Sequence, residues 1–229
     1  GGESPEPYLV ESVNLARELG DAPAVGTGLN SLGNWKSVQG DHEGALAAYQ
    51  EALEVLEDRG VRYVQAMVIL NIAACYMRRD MYPDARRHID EAHPLVQELH
   101  NDDMTSFHSL LLGELLTREG DMEGARPALL ESMQRARAVQ NPRSQVDCLV
   151  ILSLWTARSG DTTKALEWLG LARSHTAADF ESLMVADRIL DELRAELPEA
   201  DVEAALDRGT KLDLETVVAV VLESVGVEG

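Results

Sequence analysis

Residues 32–52, LGNWKSVQGDHEGALAAYQEA, carry a pattern that returns three more times along the chain at a fixed interval. Its clearest marker is an alanine that recurs every 40 residues, at Ala45, Ala85, Ala125 and Ala165. A turn signal precedes each alanine, and it reads Gly-Asp in every copy except the second, where it reads Asp80-Met81. Periods of roughly 20 to 50 residues are typical of helical repeat proteins. The sequence therefore predicts a repeat protein.

Each copy reads as two packed helices, which we term helix A and helix B. Thirteen residues before the alanine stands an aliphatic residue followed by a small one, as in Leu32-Gly33. The small residue lets a second helix approach closely. Large apolar and small residues then follow the alanine four and seven positions later, which is the stripe of an amphipathic helix. Between the two helices, glycine is expected to end helix A and aspartate to cap helix B.

These positions resemble the signature of the tetratricopeptide repeat (TPR). The matching residues are Leu32-Gly33, Gly40-Asp41, Ala45, Tyr49 and Ala52. The usual unit of that family has about 34 residues, so a unit of 40 is similar to the long-helix repeats of bacterial regulatory proteins. The resemblance implies an all-α fold, a right-handed superhelical array of antiparallel helix pairs (a TPR solenoid) closed by C-terminal capping helices.

The periodicity assigns the whole chain, 1–229, to a single TPR array. Residues 3–20 are predicted to be an isolated helix B, because Leu9 and Ser12 lie 40 residues before Tyr49 and Ala52. We expect further repeats upstream of this helix, since arrays normally begin with a complete or capping unit. The predicted repeats span 21–59, 60–100, 101–140 and 141–178, followed by a degenerate repeat and cap at 179–229.

Composition restricts the partners of the chain. Its 229 residues include 40 acidic and 20 basic side chains, for a net charge of −20. This charge repels nucleic-acid phosphates and anionic lipid headgroups, and no apolar run reaches the roughly 18 residues of a membrane span. We expect no nucleic-acid partner for this segment, no membrane partner and a cytoplasmic location. Cys75 and Cys148 lack a C-x-x-C partner and are predicted to be reduced, buried thiols.

The sequence contains no motif that would support catalysis. It holds no phosphate-binding loop, zinc-protease motif, nucleophile elbow or zinc-spaced cysteine pair. His88 and His93 are five residues apart, so one helix face cannot present both to a metal ion. The sequence therefore predicts no enzyme, no cofactor and no metal site.

The resemblance places a partner-binding groove on helix A, in the columns two residues before and two after the aliphatic position. The first column holds Asn30, Leu70, Leu110 and Val150, and the second holds Asn34, Ala74, Glu114 and Leu154. Met67, Met77 and Phe107 lie on neighbouring turns of the same helices and complete the predicted groove. Most are apolar, and only the two asparagines are similar to the basic and amide residues of carboxylate-binding TPR domains. A carboxylate clamp in these columns is thus disfavoured. The alternative is that these side chains pack against one another in a closed array.

A second resemblance concerns residues 208–222, which are similar to the closing segment of large bacterial regulators. Those proteins join a LuxR-type or SARP-type DNA-binding domain, or a nucleotide cyclase, to a signalling ATPase domain and a C-terminal repeat array. The resemblance implies a protein-interaction and sensing module whose partner is a protein or peptide segment, including another domain of the same protein. The alternative is a peptide-binding receptor of the quorum-sensing type, which requires asparagines along successive helices. After Asn30 and Asn34, only Asn71 offers one.

Overall fold

The computed structural model describes residues 4–223, and over this range it contains α-helices and no β-strand. Connections of two to five residues join consecutive helices. The helices are α1 (Glu6–Leu19), α2 (Ala22–Val38), α3 (His42–Leu56), α4 (Arg62–Arg78), α5 (Tyr82–Leu99), α6 (Asp102–Glu119), α7 (Met122–Ala138), α8 (Pro142–Arg158), α9 (Thr162–Ser174), α10 (Phe180–Arg194), α11 (Glu199–Gly209) and α12 (Leu214–Glu223). The predicted all-α class of paired helices is confirmed. The chain divides into two compact units, residues 1–104 and 105–229.

The first unit is built on two helix A–helix B pairs. Helix α2 packs against α3 and α4 against α5, while α1 covers α2 and α4 also contacts α2 and α3. The core of this unit joins side chains from α1 to α4, including Val13, Leu29, Tyr49, Val68 and Ile72. Helix α4 is therefore enclosed by neighbouring helices on several sides.

The second unit also contains packed helices of the repeats, and α10, α11 and α12 follow them. Helix α8 packs against α7 and α9, and α10 contacts both α8 and α9. Helix α11 lies against α9 at a crossing of two glycines, where a Cβ atom on Gly209 would meet the Glu167 carbonyl oxygen at 2.0 Å and the Gly170 Cα at 3.0 Å. Helix α12 contacts α7 and adds Val217, Val218 and Val221 to the core. These last two helices cover the apolar end of the unit, as expected of a cap.

The repeat columns occupy the positions that the sequence predicts for them. All four marker alanines are fully buried, as is the large apolar column of Tyr49, Ile89, Leu129 and Leu169. A Cβ atom added to Gly33 would lie 2.4 Å from the Tyr49 ring, and one added to Gly113 would lie 2.5 Å from Leu129 Cδ2. The two glycines therefore sit directly beneath the large residue of helix B.

The turn between helix A and helix B follows the predicted chemistry in three copies. The carboxylates of Asp41, Asp121 and Asp161 accept hydrogen bonds from backbone N–H groups three residues later, at 2.9, 2.9 and 3.0 Å. In the second copy Asp80 has a φ of 56°, in the left-handed region where Gly40 has a φ of 82°. Aspartate tolerates this region better than most residues, and its carboxylate also accepts a hydrogen bond from the Tyr82 hydroxyl.

The predicted repeats each contain one helix A and one helix B. Repeat 21–59 contains α2 and α3, 60–100 contains α4 and α5, 101–140 contains α6 and α7, and 141–178 contains α8 and α9. The remaining helices, α10 to α12, fall in the predicted degenerate repeat and cap. The organisation of 1–229 as one continuous array stays a prediction.

Candidate partner-binding site

Most of the predicted groove residues in the first unit lie inside the fold. Leu70 has no exposed surface, and Asn30, Ala74 and Met77 are also buried. The expectation that Leu70 lines an accessible apolar strip is therefore corrected, because α4 packs against α2, α3 and α5 at once. Asn34 and Met67 are partly exposed and remain candidates for partner contact.

The three asparagines considered for peptide binding, Asn30, Asn34 and Asn71, form hydrogen bonds within the fold. Asn71 Nδ2 donates to Asn30 Oδ1 at 2.8 Å, and Asn30 Nδ2 contacts Met67 Sδ at 3.6 Å. The Tyr49 hydroxyl donates to Asn34 Oδ1 at 2.6 Å. These amide groups join helix A to its neighbours. Their hydrogen-bonding groups are thus already used within the fold rather than presented to a peptide backbone.

In the second unit the predicted residues fall into two groups. Val150 and Leu154 on α8 are buried in the core, which corrects their assignment to an accessible strip. Phe107, Leu110 and Glu114 on α6 are partly exposed. Leu110 packs against the core cluster of this unit, and Glu114 accepts a hydrogen bond from Arg118 Nε at 3.1 Å.

Helix α10 presents an open face that the repeat columns did not indicate. An open cleft of about 910 Å³ is lined by Phe180, Leu183, Met184, Asp187, Arg188, Asp191 and Glu192. Their spacing of three or four residues places them on one side of the helix. The side chains are apolar near the start of the helix and charged near its end, and Phe180 is 64% exposed. The pattern was recognisable in the sequence, but the fifth helix A departs from the repeat columns.

Beside this cleft, arginines from three helices converge on one carboxylate. Arg118 Nη1 on α6 donates to Glu192 Oε1 at 2.9 Å, and Arg188 Nε on α10 lies 3.8 Å from the same oxygen. Arg158 Nη2 on α8 lies 3.9 Å from Glu192 Oε2. Burial alone would lower the pKa of Arg118, but the carboxylates of Glu114 and Glu192 hold that pKa above its ordinary value. We term Arg118, Arg158, Arg188 and Glu192 the ion cluster.

Two of these arginines belong to a repeat column that sequence reasoning missed. Arg78, Arg118 and Arg158 recur every 40 residues, at the end of successive A helices. Arg78 Nη1 donates to Ser37 Oγ at 2.9 Å, and Arg158 Nη1 donates to the Thr117 carbonyl oxygen at 3.0 Å. Each bond reaches the last turn of the preceding helix A, at a side-chain hydroxyl for Arg78 and at a backbone carbonyl oxygen for Arg158. The fixed spacing of 40 residues was the available signal, but the helix columns predicted from the repeat were apolar or small.

Both cysteines are free and buried, as predicted. Cys75 Sγ lies 3.8 Å from His42 Nδ1. Burial raises the pKa of Cys75 and lowers the pKa of His42, so both groups are held neutral and do not form a thiolate–imidazolium pair. Burial also raises the pKa of Cys148 to about 12.

Alkylation should therefore distinguish the folded from the unfolded chain. At pH 8, iodoacetamide is expected to modify Cys148 on the order of a thousandfold more slowly in the native protein than in urea, because only the thiolate reacts. Mass spectrometry of timed samples measures both rates, and the urea sample is the control. Rapid native modification of either thiol would contradict its burial.

One segment of the chain matches a known protein family. Residues 25–58 match the family model for the tetratricopeptide repeat. The matched segment covers most of α2 and all of α3. No curated protein matches the chain. A TPR segment suggests a protein–protein interaction module, and all-helical folds of this kind are typically non-catalytic scaffolds.

Between residues 4 and 223, no helix has both the length and the apolar character needed to span a bilayer. Over the same range, no three His, Cys, Asp or Glu side chains are grouped closely enough to hold a metal ion.

Proposed function

We propose that this chain is a non-catalytic protein-interaction and sensing module, and that it forms the C-terminal part of a larger bacterial transcriptional or signalling regulator. Its partner is a protein or peptide segment, including another domain of the same protein. The net charge of −20 disfavours nucleic acid and anionic membranes as partners. The module acts in the cytoplasm and uses no cofactor.

The open face of α10 is the observation that supports this proposal best. Phe180 is 64% exposed, and Leu183 and Met184 beside it are partly exposed. Aromatic residues and methionine are enriched at the centres of protein interfaces, and methionine adapts to varied apolar surfaces. Burying a phenylalanine side chain contributes about 1.5 to 3 kcal/mol. Asn34, Met67, Phe107, Leu110 and Glu114 are retained as further candidates for partner contact.

A binding experiment with the other domains of the parent protein tests the proposal. Phe180→Ala is expected to weaken binding about tenfold or more without changing the melting temperature, because the side chain is mostly exposed. Tyr63→Ala removes another exposed aromatic side chain from a different helix and serves as the control. Calorimetric titration measures both affinities. Unchanged affinity for Phe180→Ala would exclude this face from the interface.

A peptide-binding receptor of the quorum-sensing type is the second candidate. It is less well supported, because Asn30, Asn34 and Asn71 form hydrogen bonds within the first unit. The coding sequence upstream of Glu3 separates the two candidates. An ATPase or winged-helix domain there favours the regulator, whereas a small helix-turn-helix domain directly before Glu3 favours the receptor.

A further inference from the structure

We infer that the ion cluster is a binding site for a carboxylate group of an acidic partner segment, and that Glu192 occupies this site in the free chain. The inference deepens the proposed function, because it gives the chemical class of the partner that would dock beside the α10 face. It rests on how the three arginines surround Glu192, on an unsatisfied donor of Arg118 and on the exposure of the cluster.

Arg118 offers more donors than Glu192 uses. Glu192 has two oxygens, and guanidinium groups from α6, α8 and α10 all approach them. The Arg118 side chain is only 3% exposed, and within the part of the chain that the structure describes its buried Nη2 has no hydrogen-bond partner. A buried donor without a partner is costly. Arginine binds carboxylates best through two parallel hydrogen bonds, and Arg118 uses only Nη1 on Glu192.

The Glu192 carboxylate can be replaced by the carboxylate of a partner. Glu192, Arg158 and Arg188 are between 34% and 38% exposed, so an entering carboxylate can meet two of the arginines from solvent. The Glu192 side chain can rotate into water without loss of backbone structure, because it lies on the open side of α10. Its departure would leave Nη1 and Nη2 of Arg118 both free to bind the incoming group.

Local charge favours this exchange despite the acidity of the whole chain. Without Glu192, the guanidinium groups of Arg118, Arg158 and Arg188 remain close together, and Glu114 stays paired with Arg118. Of the neighbouring carboxylates, Asp187 pairs with Arg173 at 2.9 Å, and Asp191 lies 3.8 Å from Arg194, which also pairs with Glu199 and Glu203. At physiological ionic strength charges are screened over about 8 Å. The cluster, rather than the net charge of −20, therefore determines which group binds there.

Two matched probes test the site on the full chain. One is a fluorescent 12-residue peptide of glutamate and leucine, and the other has glutamine in place of each glutamate. Glu192→Gln removes the internal competitor and is expected to tighten binding of the acidic peptide about tenfold. Asp191→Asn removes the same charge one residue away and is expected to change binding less than about twofold. Fluorescence anisotropy measures each affinity.

Substitutions of single arginines, with Glu192 kept in place, supply a second measurement. Arg188→Gln is expected to weaken acidic-peptide binding about tenfold, whereas Arg194→Gln, on the same helix but outside the cluster, is expected to leave it within about twofold. Equal effects of Glu192→Gln and Asp191→Asn, equal binding of the two peptides, or a Glu192→Gln chain that does not fold would each overturn the site. If Phe180→Ala weakens parent-domain binding while the peptides bind equally, the proposed function stands and the carboxylate site is wrong.

Discussion

Changing Leu70 to glutamate is expected to unfold the first unit rather than to block partner binding selectively. Leu70 has no exposed surface and lies on a helix enclosed by α2, α3 and α5. A carboxylate there would lose its hydration without gaining a partner, and the expected cost is on the order of 4 kcal/mol or more. Urea denaturation followed by circular dichroism measures this loss.

The control for this change lies on the same helix. Tyr63 is 43% exposed, so Tyr63→Glu should alter stability by less than about 0.5 kcal/mol. A Leu70→Glu chain that melts like the parent but no longer binds its partner would show that Leu70 does line an accessible apolar strip. Loss of folding instead establishes that Leu70 belongs to the core.

Changing Gly209 to alanine is expected to separate α11 from α9. The new Cβ atom would fall 2.0 Å from the Glu167 carbonyl oxygen and 3.0 Å from the Gly170 Cα. These are backbone atoms, so the clash cannot be relieved by rotating a side chain, and the helices must move apart. The expected loss is about 3 kcal/mol, seen as a lower urea midpoint for the second unit.

A larger substitution on the opposite side of α11 provides the comparison. Ala204 is exposed, so Ala204→Leu adds more volume than Gly209→Ala but should change stability by less than about 0.5 kcal/mol. A Gly209→Ala chain as stable as this control would mean that α9 and α11 do not approach as closely as described.

The sequence predicted the elements that depend on repetition. The buried alanine column, the large residue four positions later and Gly33 beneath Tyr49 all follow from one period. Gly170 and Gly209 fill an equally tight helix contact but could not be predicted in this way. Gly170 lies in the fourth repeat, but the other copies have Gln50, Asp90 and Leu130 at that position, and Gly209 lies in the degenerate C-terminal part. No other copy therefore shows that these two positions must be small.

The candidate site was harder to predict because it depends on tertiary approach. Two residues of one column can differ completely in exposure, as buried Val150 and half-buried Leu110 do, since exposure depends on the neighbouring helices. The bond between Arg118 and Glu192 joins residues 74 positions apart. The period brings Arg118 and Arg158 into one column, but only the position of α10 shows that a carboxylate lies between them.

The short connections between helices also affect how quickly each unit can form. Because two to five residues join successive helices, each helix meets its first partner after closing only a small loop, and the entropy lost in that closure is low. Proteins dominated by contacts between near neighbours in sequence fold fast. The second unit also has contacts between distant helices, since the ion cluster joins α6 to α10 across three intervening helices and α12 packs against α7. We expect the helix pairs to form early and the ion cluster to close later, so the surface inferred to bind a partner is completed only after the helix pairs that surround it.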